Sequence, residues 1–146
     1  MSGTVESVTI HSLRTVAENM PFNKLIGLRI MRTHSDGVTV ACPMRDDLKN
    51  SAGVMHGGVA ATVADAAVGI ALAKHFGGLR PCTTTDLKIN YLRPISHGKI
   101  VARSRLVRIG KKLCVGRVDL SDSQGKLAAV AIVTYMLLAT DRRSQL

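Results

Sequence analysis

Residues 50 to 69 read NSAGVMHGGVAATVADAAVG, and two features of this stretch could do chemistry. The first is Asp65, a single carboxylate with Ala, Val and Gly on every side. Burying an unpaired carboxylate costs several kcal/mol, so a sequence shaped by folding alone avoids it. In an apolar cleft the same group suits general-base or nucleophilic work. A core Asp hydrogen-bonded to backbone or hydroxyls is the structural alternative. The second feature is the His56-Gly57-Gly58 triplet, where a polar loop gives way to the apolar run. A helix starting there leaves the Gly57 and Gly58 amides without intrahelical partners, and its dipole favours a developing negative oxygen nearby. Glycine also admits a ligand close to the backbone.

One helix carries Gly57 and Asp65 about 12 Å apart along its axis. A base and an oxyanion donor must both lie about 3 Å from the reacting group. One chain does not readily supply both. A two-fold dimer with antiparallel helices does, Asp65 of one copy facing Gly57 of the other. The expectation is an active site shared across a homodimer.

The elements that position these residues follow from periodicity. SLRTVAENM sets Leu13, Val16, Ala17 and Met20 at helical spacing, and Pro21 stops that helix. KLIGLRIMRTHSDGVTVACPM reads as two strands with Asp36-Gly37 at the tip of their turn, and RDDLKNSAG as a loop. A helix runs from Gly57 to about Phe76 and ends at Gly77-Gly78. CTTTDLKINYL then alternates, with Leu87, Ile89 and Tyr91 on one face. GKIVARSRLVRI, KLCVGRVDLSD and KLAAVAIVTYMLLAT complete a meander. The class is α+β: a short N-terminal helix, then a long apolar helix that a curved antiparallel sheet must wrap. At 146 residues the chain suits one domain, 1–146, with its core over about 20–140.

Composition narrows the function. The N-terminus lacks a basic start followed by an apolar run, and the apolar stretch 59–73 is interrupted and short for a bilayer. A cytoplasmic protein that does not enter membranes is expected. Three separated cysteines and five scattered histidines indicate free thiols and no metal site. The formal net charge of +10 calls for an anionic partner, yet aromatics are only 3% and Trp is absent, which disfavours a nucleic-acid platform. A polyanionic small molecule bearing a nucleotide fits better.

The pattern N-x-x-G-x-x-H-G-G-V, here Asn50, Gly53, His56, Gly57, Gly58 and Val59, followed by Asp65, resembles that of the hotdog-fold acyl-CoA thioesterases. The similarity is to the phenylacetate-pathway (PaaI-like) type within the broader 4-hydroxybenzoyl-CoA thioesterase superfamily. TTTDLKINYLRPISHGKIVARSRLVRIGKKL is similar to that family's third and fourth strands, and the likeness covers about 20–140. The resemblance implies a long helix inside a curved sheet, with dimers pairing into tetramers. It implies hydrolysis of an acyl-CoA thioester, with no cofactor beyond the coenzyme A of the substrate. Asp65 is then base or nucleophile, and the Gly57 N–H polarises the thioester oxygen beside Gly58. Asn50 and His56 orient the thioester or the water. Thr84 holds the water, with Thr83 and Thr85 as competing choices. Arg93, Arg108, Lys111 and Lys112 are the candidates for the CoA phosphates, the last two favoured by their loop. The rival readings are a non-catalytic acyl-CoA sensor on the same scaffold and, lower, an acyl-thioester hydratase, whose motifs GDxNP and HFPG are missing here.

Overall fold

The computed structural model describes residues 9–139. The outermost parts of the expected 1–146 domain, including the N-terminal residues read for a leader and the basic pair Arg142 and Arg143, lie outside the described residues. The elements are α1 (Ile10–Ala17), α2 (Pro21–Ile26), β1 (Arg29–His34), β2 (Gly37–Pro43), a 3₁₀ turn (Asp46–Leu48), α3 (Gly57–Phe76), β3 (Cys82–Tyr91), β4 (Lys99–Ile109), β5 (Leu113–Ser121) and β6 (Leu127–Leu137). All strand pairs are antiparallel, in the order β1-β2-β4-β5-β6-β3.

The architecture is the α+β arrangement expected, because α3 has no wet face to spare. Of its twenty residues only Gly58 and His75 are exposed. A flat sheet buries one side of a helix; α3 is covered by five strands and by α1. Extra residues in β1, β3 and β4, at Met31, Thr85 and Val107, interrupt the ladders and bend the strands that must curl. By length and composition α3 could cross a bilayer, and it is longer than the 15-residue run 59–73; here the sheet takes the place of lipid.

Several local expectations are corrected. Pro21 does not merely stop a helix: α1 ends at Ala17, and Pro21 opens α2, where its missing N–H costs nothing. Lys24, Leu25 and Ile26 are therefore helical, and β1 starts only at Arg29. The first hairpin turns at Ser35 and Asp36, with Gly37 already paired to His34. The later strands are not a simple meander. β3 crosses to the far edge beside β6, and β4 pairs with β2.

Gly37 is small because β4 passes so close. A Cβ there would overlap the Ser104 carbonyl. Ser104, fully buried, binds the Val38 N–H and carbonyl at 3.2 Å each and the Ala67 carbonyl at 2.9 Å, tying β2, β4 and α3 together. Gly37→Ala is expected to cost about 3 kcal/mol of stability. Urea unfolding checks this; an unmoved midpoint would show that the contact relaxes freely.

Candidate active site

Asp65 lies two turns into α3, half-buried. It is not unpaired: the Thr84 hydroxyl donates to its Oδ1 at 2.7 Å. Among the described residues no donor reaches Oδ2. The bulge in β3 makes this contact possible. Thr84 pairs with Tyr135 and Asp86 with Thr134, so Thr85 is the extra residue. Without it Thr84 and Leu87, three positions apart, would point to opposite faces. With it both face α3, while Thr83 and Thr85 are exposed. The run of three threonines is thereby resolved in favour of Thr84 as the neighbour of Asp65.

Tyr135, from β6, donates its hydroxyl to the Asp65 backbone carbonyl at 2.9 Å. Burial pushes its phenol far above the usual range, so it stays protonated and keeps donating. Tyr91 does the same for the Gly57 carbonyl at 2.5 Å. These are the two tyrosines of the chain, on adjacent strands and on carbonyls eight residues apart. Sequence reasoning put Tyr91 on one face with Leu87 and Ile89 without giving it a task, and passed over Tyr135. The signal available was alternation: a Tyr in register with inward Leu and Ile must aim its hydroxyl at the helix.

At the head of α3, His56 is the N-cap and its Nδ1 accepts from the Gly58 N–H at 2.9 Å. That bond fixes the imidazole as the Nε2–H tautomer. The Val59 N–H goes to the His56 carbonyl at 2.9 Å. The Gly57 N–H has no acceptor among the described residues. Of the first-turn amides at 57–59, the one left open is therefore Gly57, while Gly58 is closed by its neighbour.

Asn50 divides its side chain between two tasks. Its Oδ1 accepts from Ala52 N at 2.9 Å and Val54 N at 3.3 Å, holding the 49–55 loop that the Lys49–Met55 bridge closes. Its amide nitrogen has no acceptor among the described residues, and the residue lines a cleft of about 390 Å³ with Gly57, Tyr91 and Arg93. His56 and Gly58 open onto an adjoining cleft beside α2. Asp65 lies on a separate, mostly apolar cavity of about 290 Å³ between α1, α2, α3 and the start of β3. Within one chain the open N–H and the carboxylate therefore serve different clefts.

The basic candidates also divide. Arg93 follows β3 at the Gly57 cleft. Arg108 is exposed near the end of β4, and Lys111 and Lys112 are exposed in the turn after it. None of these four has an ion-pair partner among the described residues, whereas Arg103 is held by Asp36 at 2.6 Å and Arg105 and Arg117 by Asp119. The cysteines are free. Burial pushes the Cys42 thiol up to about 11 and raises Cys82, beside Asp65, so neither offers a ready thiolate at neutral pH.

Comparison with known proteins places this geometry. The thioesterase superfamily profile matches residues 52–129. The chain is 30% identical over 134 residues to the medium/long-chain acyl-CoA thioesterase YigI of Escherichia coli, the match covering 82% of this chain and 86% of that one. A variant of the phenylacetic acid degradation protein PaaI from Thermus thermophilus is similar in structure, with TM-score 0.72 and 28% identity over 81% of this chain and 99% of that one. A thioesterase from Haemophilus influenzae shares the fold at TM-score 0.83 and 22% identity, over 91% and 92% of the two chains.

Proposed function

The chain belongs to the thioesterase superfamily, and on that premise we propose that it is an acyl-CoA thioesterase whose active site is completed by a second copy of itself. The observation that carries this reading is the Asp65 carboxylate at an apolar cavity, with Oδ1 held by Thr84 and Oδ2 open. Oδ2 takes a proton from water as the water oxygen adds to the thioester carbon, and the proton passes to the CoA sulfur as the C–S bond breaks; or Oδ2 attacks that carbon itself, the C–S bond breaks to release CoA, and water then hydrolyses the mixed anhydride. Either route ends in free acid and coenzyme A. The negative charge that forms on the carbonyl oxygen goes to the open Gly57 N–H of the other copy, with the force of the α3 dipole behind it.

The separation of about 12 Å between these two groups on one helix is what favours a two-fold partner. In an antiparallel pair, the Asn50 amide and the His56 Nε2–H flank the oxyanion donor and orient the thioester. Arg93 and the turn bearing Lys111 and Lys112, none with an ion-pair partner among the described residues, supply cations for the phosphates of coenzyme A. The reading extends to pairs of dimers, a cytoplasmic setting and no added cofactor.

The test is thiol release from a panel of acyl-CoA esters. Turnover supports the enzyme; tight binding of the esters without turnover turns the reading to the sensor. Thr84 acts here as a positioning residue for Asp65 and its water. A hydrogen bond to a charged group is worth about 1.5–3 kcal/mol, so Thr84→Val is expected to lower kcat by about tenfold or more. Thr84→Ser, which keeps the hydroxyl, is expected to restore most of that rate. Equal kcat in all three proteins would remove Thr84 from the mechanism.

A further inference from the structure

The inward residues of β6 are Ala129, Ala131, Val133, Tyr135 and Leu137, all buried, and among these five Tyr135 alone carries a polar side-chain atom. A phenylalanine would fill the same space with no hydroxyl to satisfy. The acceptor does not need that hydroxyl either. The Asp65 carbonyl lies in the middle of α3, where the helix pattern already gives it the Gly69 N–H. Tyr135 takes its second lone pair, at 2.9 Å.

The helix is shaped to admit this bond. A Cβ at residue 69 would stand 2.8 Å from the Tyr135 hydroxyl oxygen. Glycine is a poor helix former, and Ala66, Ala67, Ala71 and Ala73 on either side show what α3 otherwise uses. Gly69 thus keeps the way open from the phenol to the Asp65 carbonyl.

Tyr135 is also the ladder partner of Thr84. Paired residues of an antiparallel ladder stand side by side on one face. One cross-strand pair therefore grips a single residue at both ends, Thr84 at Oδ1 and Tyr135 at the main-chain carbonyl. The first bond sets where the carboxyl group points, and the second sets where the side chain starts. An error of about 1 Å in the place of a reacting group costs up to about 10²-fold in rate.

We infer that Tyr135 is a positioning residue for Asp65: its hydroxyl, admitted by Gly69, fixes the α3 backbone at residue 65 while Thr84 fixes the carboxyl group, leaving Oδ2 to react. The inference rests on the reading of Asp65 as base or nucleophile in thioester hydrolysis. The experiment measures kcat and KM on the best acyl-CoA ester for wild type, Tyr135→Phe, Gly69→Ala and the double variant. Tyr135→Phe is expected to lower kcat about fivefold or more with KM within about twofold. Gly69→Ala keeps the phenol but pushes its oxygen off the carbonyl, so kcat is expected to fall about threefold or more, although alanine is the better helix former. In the double variant the oxygen is gone and the nearest ring atom is 3.4 Å from the new Cβ, so kcat is expected to match that of Tyr135→Phe alone. Adding Tyr135→Phe to Asp65→Asn is expected to change the residual rate by less than about twofold, because no carboxylate is left to place; damage to the fold at large would lower that rate too. An unchanged kcat in Tyr135→Phe, losses that multiply in the double variant, or the same loss with and without Asp65→Asn would each overturn the inference, and turnover by wild type would leave the enzyme reading standing. Turnover of no acyl-CoA ester at all would overturn both.

Discussion

Asp65→Asn is expected to lower kcat on the best acyl-CoA substrate by at least a hundredfold, about 2.7 kcal/mol of transition-state stabilisation. The substitution is close to isosteric, and an amide oxygen can still accept the Thr84 hydroxyl now held at 2.7 Å. What it removes is the basicity of the second oxygen, and a positioned general base contributes about 10²–10⁴-fold. Asp65 also makes little of the fold through its side chain. The bond from Tyr135 goes to its backbone carbonyl and survives the change. The melting temperature should therefore stay close to wild type while activity collapses. Thiol release under saturating substrate, with thermal melts beside it, checks both parts. Equal kcat in the two proteins would dismiss Asp65 as the catalyst.

The second large effect concerns an atom that side-chain replacement cannot reach, the Gly57 N–H. Proline deletes it. Gly57 is the first residue of α3, where proline is tolerated because that amide has no intrahelical acceptor. His56 before it has φ −59° and ψ 133°, the extended conformation that a following proline requires. The added Cβ would come within 3.1 Å of the Tyr91 ring, so Gly57→Ala is the control: the same Cβ with the N–H kept. Loss of one oxyanion donor typically costs about 10²–10³-fold in kcat. Gly57→Pro should show that loss and Gly57→Ala less than about a tenfold one.

Mixing then tests the shared site directly. Unfolding and refolding Asp65→Asn chains together with Gly57→Pro chains yields mixed dimers in which one of the two sites keeps both groups intact. Random pairing makes half the dimers mixed, so about a quarter of wild-type activity should return. Two inactive proteins that stay inactive when mixed would place the whole site in one chain.

Much of this was legible in the sequence because it depends on short-range order. The period of α3, its start after a polar loop and its stop at Gly77 are local matters, and so is the conclusion that a helix apolar all round must be wrapped. The separation of Gly57 from Asp65 is simple helix geometry, and the two do lie on different clefts. Where local signals misled, two local meanings competed. Pro21 both ends and begins helices, and the KLI of α2 reads equally as the front of a strand.

Short-range order alone set the elements, their class, and the pair of groups on α3 that could do chemistry. The rest turns on contacts between residues far apart in the chain, which no local pattern encodes. β3 reaches the edge beside β6 instead of β4, a choice between strands with the same alternation. The extra residue in β3 turns Thr84, not Thr83 or Thr85, towards Asp65, and a bulge leaves no mark in periodicity. The cap that His56 places on Gly58 leaves the Gly57 amide open, and α1, fastened to β1 where Glu18 accepts from the Ile30 N–H, encloses a cavity beside the carboxylate. Alternation and helical period say which face a residue takes; only the packed chain says what stands opposite it.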